Sequence, residues 1–89
     1  MPVVQVTGTG GTLTLGGTGV QTVLNTIDVG TGAASGVCTV YRGTAAVSAN
    51  IIATIDATAA NMFEFDTAVL GGIYITVTGG AAKVSVSYD

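Results

Sequence analysis

Clusters of glycine punctuate this chain between runs of strand-forming residues, and that rhythm limits it to a fold of short strands. Gly10-Gly11, Gly16-Gly17, Gly30-Thr31-Gly32, Gly71-Gly72 and Gly79-Gly80 separate stretches rich in Val, Thr and Ile. Branched Cβ atoms suit the pleat of a strand, while glycine pairs permit the positive φ of tight turns. Fourteen Gly and fifteen Thr against a single Pro, with no helical stretch that must be granted, place the chain in the all-β class.

The second half alternates most cleanly. Phe63 and Phe65 alternate with Glu64 and Asp66; Ile73, Ile75 and Val77 with Tyr74, Thr76 and Thr78; Val84, Val86 and Tyr88 with Lys83, Ser85 and Ser87. A period of two means strands with one buried face. Residues 73–88, interrupted by Gly79-Gly80-Ala81-Ala82, read as a hairpin. Residues 36–42 form a strand with Cys38 and Val40 on one face and Val37, Thr39 and Tyr41 on the other. Residues 51–56 form another, with Ile51, Ala53 and Ile55 together. Residues 20–29 carry a helical spacing at Val20, Val23, Leu24 and Ile27, but flanking glycines and β-branched residues favour a bulged strand. Residues 56–61 read as a loop.

The predicted architecture is a small antiparallel β-sandwich or jelly-roll-like barrel of about seven or eight short strands. Residues 20–89 form its single domain. Residues 1–19, poor in large side chains, form an N-terminal arm or edge hairpin that orders on a neighbour.

Charge sets the functional bounds. Only Asp28, Arg42, Asp56, Glu64, Asp66, Lys83 and Asp89 are charged, 8% of the chain against about 25% in an ordinary domain, and there is no His. The outside must therefore be Thr, Gly, Ser, Ala and apolar atoms, a surface suited to contact with other protein. Two basic residues cannot build a nucleic-acid footprint. No stretch approaches the roughly 20 uninterrupted apolar residues of a membrane helix. The first residues lack the basic start of a secretion signal, so synthesis and retention in a cytoplasm until assembly is expected. A single Cys, Cys38, excludes an internal disulfide and a zinc cluster, which leaves association as the route to stability for so short a chain. Cys38 itself reads as a small buried apolar group.

No constellation carries chemistry. General-base or nucleophilic catalysis needs a positioned base, and the candidates reduce to five carboxylates and Lys83. Glu64 and Asp66 read as the solvent-facing partners of Phe63 and Phe65 in preference to a Ca²⁺ or carboxylate-pair site, which needs six to eight oxygens. Gly8-Thr9-Gly10-Gly11 and Gly30-Thr31-Gly32 lack the Gly-Lys-Ser/Thr ending of a phosphate loop and are turn glycines. The pairs Thr12/Thr14 and Thr76/Thr78 lack the coil period of ice-binding β-proteins and read as outer-face strand formers. Tyr41, Tyr74 and Tyr88 read as rings that pack while their hydroxyls face outward. No enzyme activity, cofactor or metal is expected.

From about residue 20 onward the chain resembles small all-β virion proteins of tailed bacteriophages, over some three-quarters of its length. The resemblance is carried by Val29-Gly30-Thr31-Gly32-Ala33-Ala34-Ser35-Gly36-Val37-Cys38-Thr39-Val40-Tyr41-Arg42-Gly43-Thr44, by Ile51-Ile52-Ala53-Thr54-Ile55-Asp56 and by Phe63-Glu64-Phe65-Asp66. It continues through Gly72-Ile73-Tyr74-Ile75-Thr76-Val77-Thr78-Gly79-Gly80 to Val84-Ser85-Val86-Ser87-Tyr88. In that pattern the position of Arg42 is often acidic and the final residue often basic, where this chain has Asp89.

The resemblance implies a capsid decoration, or cement, protein. Such a protein forms a homo-oligomer, expected as a trimer, on the outside of the virion and binds the major capsid protein to reinforce the shell. The expected contact segment is Val3, Val4, Gln5, Val6, Thr7, Thr12, Leu13, Thr14 and Leu15, since open edge strands accept a neighbour's strand. The alternative is a fibre or spike module that binds a host receptor or glycan through Tyr41, Tyr74 and the Glu64/Asp66 face.

Overall fold

The computed structural model of the chain describes residues 3–17 and 19–89. Met1, Pro2 and Thr18, which belong to the expected arm, lie outside the described residues. Eight strands form in order: β1 (Val3–Thr7), β2 (Gly11–Leu15), β3 (Gln21–Thr31), β4 (Val37–Arg42), β5 (Ile51–Asp56), β6 (Asn61–Leu70), β7 (Ile73–Thr78) and β8 (Lys83–Tyr88). One turn of 3₁₀ helix, Ser48–Asn50, leads into β5.

The strands make two four-stranded antiparallel sheets, ordered β1-β8-β3-β6 and β2-β7-β4-β5. Every β1 residue faces one on β8, every β2 residue one on β7, and β3 pairs with β6 as β4 pairs with β5. The chain is thus one long antiparallel hairpin, 1 with 8 through 4 with 5, rolled up so that its paired strands alternate between sheets. That winding is a jelly roll. The Cα envelope measures 36 × 26 × 16 Å, two sheets thick in its short direction.

The core lies between the sheets. Leu24, Ile27, Val29, Val84 and Val86 from one sheet meet Cys38, Val40, Ile73, Ile75 and Val77 from the other, and all are 0–1% exposed. Each strand supplies alternate residues, as the period-two pattern requires. Phe63, Phe65, Leu13, Ile52 and Tyr88 are half-buried against this cluster.

The expected hairpin over residues 73–88 does not form, because β7 and β8 lie in opposite sheets. Both strands carry a fully apolar face, and the two faces bury each other across the sandwich only from opposite sides. The connection of residues 79–82 crosses between sheets, with Gly79 at φ 84° and so close to Ser35 that a Cβ would stand 1.8 Å from its carbonyl oxygen. Among the strand connections only that from β4 to β5 stays within one sheet.

Residues 3–15 are not a separate arm, nor a hairpin: β1 and β2 are edge strands of different sheets in the same sandwich. Val6 and Leu15 reach the core at 4% exposure each, so this stretch does have core residues of its own. The crossing between them runs against residues 79–82. There the Gly8 N–H donates to the Ala82 carbonyl (2.7 Å), that of Thr9 to the Gly80 carbonyl (3.1 Å) and that of Gly10 to the Val77 carbonyl (3.2 Å).

Two bulges explain the irregular sequence patterns. Against β8 the register of β3 shifts between Leu24 and Thr26, so the extra residue Asn25 changes which parity faces inward. Thr22 and Leu24 are buried before it, Ile27 and Val29 after it, and the three-residue step imitates a helix. Against β5 the register shifts between Val40 and Tyr41, which pair with Ala53 and Ile51. Ile52 therefore turns toward the core. Ile51, expected with Ala53 and Ile55, stands 46% exposed beside Tyr41 on the outer face.

Candidate functional site

The nine residues of the expected contact segment separate into three environments. Val6 and Leu15 are core, and Leu13 and Val4 are half-buried on the inner side. Val3, Gln5 and Thr7 are exposed on the outside of the β1-β8-β3-β6 sheet, and Thr12 and Thr14 on the outside of the β2-β7-β4-β5 sheet. The segment therefore contributes to two surfaces.

Strand register arranges the outside of the β2-β7-β4-β5 sheet in rows. Thr12 faces Thr76, Thr76 faces Thr39 and Thr39 faces Thr54, a line of four threonines across all four strands. Beside it runs Thr14, Tyr74, Tyr41 and Ile51, and on the other flank Thr78, Val37 and Asp56. The Tyr41 and Tyr74 rings stand 6.1 Å apart, tilted by 49°. Thr-x-Thr alternation is visible in the sequence, but the row across strands exists only once register is known.

The charges collect elsewhere. Asp28, Glu64 and Lys83 are exposed on the outside of the opposite sheet, where Asp28 faces Ser85 and Met62, Glu64 faces Thr26 and Lys83 faces Thr7 and Thr31. Asp66 is exposed on the same sheet's edge strand β6, at φ 48°. On the β2-β7-β4-β5 sheet only Asp56 and Arg42 are charged, each at a strand's end. The chain is two-faced, with a neutral hydroxyl-and-ring face opposite a charged one. Tyr41 and Tyr74 do come together, but Glu64 lies across the molecule from them.

The titratable groups are held in ways that suit structure. Asp56 Oδ1 accepts from the Thr58 hydroxyl (2.6 Å) and the Thr58 N–H (2.9 Å), which fixes the turn into β6. These two bonds hold its carboxyl below the ordinary carboxylate range. Burial pushes the Cys38 thiol up to about 11, so it stays protonated and unreactive at neutral pH. Every buried side-chain N or O among the described residues has a hydrogen-bond partner. Among them no group of three Asp, Glu, Cys or His side chains gathers where a metal could be held.

Two open clefts lie along the sandwich. One, of about 350 Å³, is lined by Arg42, Ile52, Thr67, Ala68, Val69 and Leu70; the other, of about 340 Å³, is walled by Ser35, Gly36, Val37, Thr54, Ile55, Asp56 and Thr58. In the second cleft the Thr58 hydroxyl is spent on Asp56 Oδ1 (2.6 Å) in the turn into β6. No helix is long and apolar enough to cross a membrane, among the described residues.

Comparison with protein-family models, with curated proteins and with solved structures yields no match for this chain.

Proposed function

We propose that this chain is a structural virion protein, a decoration or cement protein that docks on a shell of major capsid protein and reinforces it without chemistry. The neutral outer face of the β2-β7-β4-β5 sheet is the docking surface. The observation that carries this reading is the segregation of charge: across that face the rows Thr12-Thr76-Thr39-Thr54 and Thr14-Tyr74-Tyr41-Ile51 contain no ionisable group other than the tyrosine hydroxyls. Desolvating such a face against protein costs little, because no charge has to leave water. Hydroxyls exchange water for a partner's carbonyls, and the tyrosine pair with Ile51 supplies apolar contact. The charged opposite face stays in solvent at the virion surface. The jelly roll agrees with this setting by analogy, since shell and receptor-binding domains often use it.

Four strands about 4.8 Å apart and the two charge-free rows about 7 Å apart give a footprint of about 270 Å². A standard stable interface buries roughly 800 Å² per partner, so one copy alone binds weakly and repetition over the shell supplies the strength. Co-sedimentation of the full chain with empty tailed-phage capsids freed of their own decoration tests the reading. Saturable binding that raises the capsids' melting temperature is expected. Absence from the pellet at every concentration overturns it, and capture on a glycan array with no capsid binding would instead establish the fibre reading.

A further inference from the structure

The two lateral walls of the sandwich are built differently. On one wall lie the edges β5 and β6, and both carry devices that discourage strand pairing. β5 is bulged at Ile52 and ends in Asp56; β6 carries Glu64 and Asp66, with Asp66 in the left-handed region where the register against β3 shifts. On the other wall lie β1 and β2, Val3–Thr7 and Gly11–Leu15. Each pairs with its neighbour in unbroken register and neither has a charged residue. Bulges and charges are how sheet proteins keep their edges from pairing, and this wall has none of them. Val3 stands 62% exposed on it.

The sequence of β1 is close to a palindrome about its centre: Val3, Val4, Gln5, Val6, Thr7. We infer that β1 is a self-pairing edge, at which a second copy of this chain adds its own β1 antiparallel about a two-fold axis through Gln5. An axis perpendicular to the sheet must relate a residue to itself, because facing residues share a face and neighbours along a strand do not. Centring on Gln5 engages all five residues. Val3 then faces the partner's Thr7, Val4 the partner's Val6, and Gln5 the partner's Gln5. The half-buried Val4 and the core residue Val6 meet their counterparts, so the two cores become continuous, while the paired Gln5 amides bond to each other on the outside. No like charges are opposed. The two β1-β8-β3-β6 sheets merge into one of eight strands.

This pairing yields a dimer, in place of the trimer that the family resemblance implies, and it stands independently of the capsid reading. It has a consequence for that reading all the same. The axis keeps both neutral faces on the same side of the dimer, so their combined footprint doubles.

Sedimentation equilibrium on the full chain should give twice the 8.7 kDa chain mass. Gln5→Lys, which sets two ammonium groups face to face at an exposed position, should weaken the dimer about tenfold or more with unchanged far-ultraviolet circular dichroism. Gln5→Cys should cross-link to itself under mild oxidation, since facing residues lie about 4.5–5.5 Å apart at Cα, within disulfide reach. Val3→Cys, about 13 Å from its own mate in this register, should not. A monomeric or trimeric mass overturns the proposal, as does cross-linking of Gln5→Cys no faster than of Ala68→Cys on the opposite wall. None of these readouts involves a capsid, so failure here and failure of capsid binding are told apart.

Discussion

Tyr41 and Tyr74 face each other directly across β4 and β7, their ring centres 6.1 Å apart at the heart of a sheet face that carries no charge in its two central rows. The pair is half-buried with no second layer above it. Cross-strand aromatic pairs of this geometry contribute about 0.5–1 kcal/mol beyond their separate burial. A double-mutant cycle with Tyr41→Ala and Tyr74→Ala, read by chemical denaturation, should return a coupling of that size. Additive losses would mean that the rings are placed for an external contact alone.

Gly79 and Gly71 share a positive φ, 84° and 98°, but differ in surroundings. A Cβ on Gly79 would sit 1.8 Å from the Ser35 carbonyl oxygen, whereas one on Gly71 meets nothing within 4 Å. Gly71→Ala should cost about 1–2 kcal/mol from backbone strain alone. Gly79→Ala should cost about 3 kcal/mol or more, because the crossing between β7 and β8 must move away from residues 33–36. Equal losses in thermal or denaturant unfolding would contradict the close approach.

Cys38 is fully buried and its thiol is held protonated to about pH 11, against an ordinary value of 9.0. A raised value means that the unfolded chain loses this proton first. Stability from this group is complete below pH 9 and falls between pH 9 and 11, by roughly 2–3 kcal/mol. Cys38→Ala should flatten that part of the stability curve. A thiol reagent at pH 8 should label the folded chain only as fast as it unfolds.

Asp56 titrates in the opposite direction. With two bonds from Thr58 its carboxyl lies below its ordinary 3.8, so its contribution is present above that pH and is lost as pH falls through the depressed value. Thr58→Ala removes the hydroxyl donor and leaves the backbone one. The Asp56 midpoint, followed by carboxyl-carbon NMR, should then rise part of the way back. No movement would mean that the turn does not depend on that hydroxyl.

The alternation in β6, β7 and β8 is legible because each of these strands turns one parity to the core, with Ser87 the one outward residue that is also buried, and Phe63, Ile75 and Val86 are where the period places them. The strand at residues 20–29 was legible only as ambiguous. Asn25 occupies the bulge at 8% exposure, its Nδ2 donating to Asp89 Oδ2 at 3.1 Å, a pairing between residues 64 apart that no local pattern signals. Ile51 departs from the period for the same reason, since a bulge reverses parity without leaving a mark in composition. The crossing at residues 79–82 is hidden in the sequence for another reason. A short Gly-Gly loop serves a turn within a sheet or a crossing between sheets, and the choice rests on which faces must cover each other. The neutral face was hidden too: its threonines at 12, 39, 54 and 76 are scattered along the chain and join only through register.

The proposed docking face is the neutral one, and not the charged one. The most direct measurement is the capsid-binding isotherm of three chains: the unmodified protein, Thr54→Lys at an exposed position in the threonine row, and Asp28→Lys on the opposite sheet. The account predicts that Thr54→Lys lowers affinity for decoration-free capsids about tenfold or more, because a lysine must then be desolvated in the contact, while Asp28→Lys binds as the unmodified chain does. Loss of binding with Asp28→Lys and its retention with Thr54→Lys would contradict it.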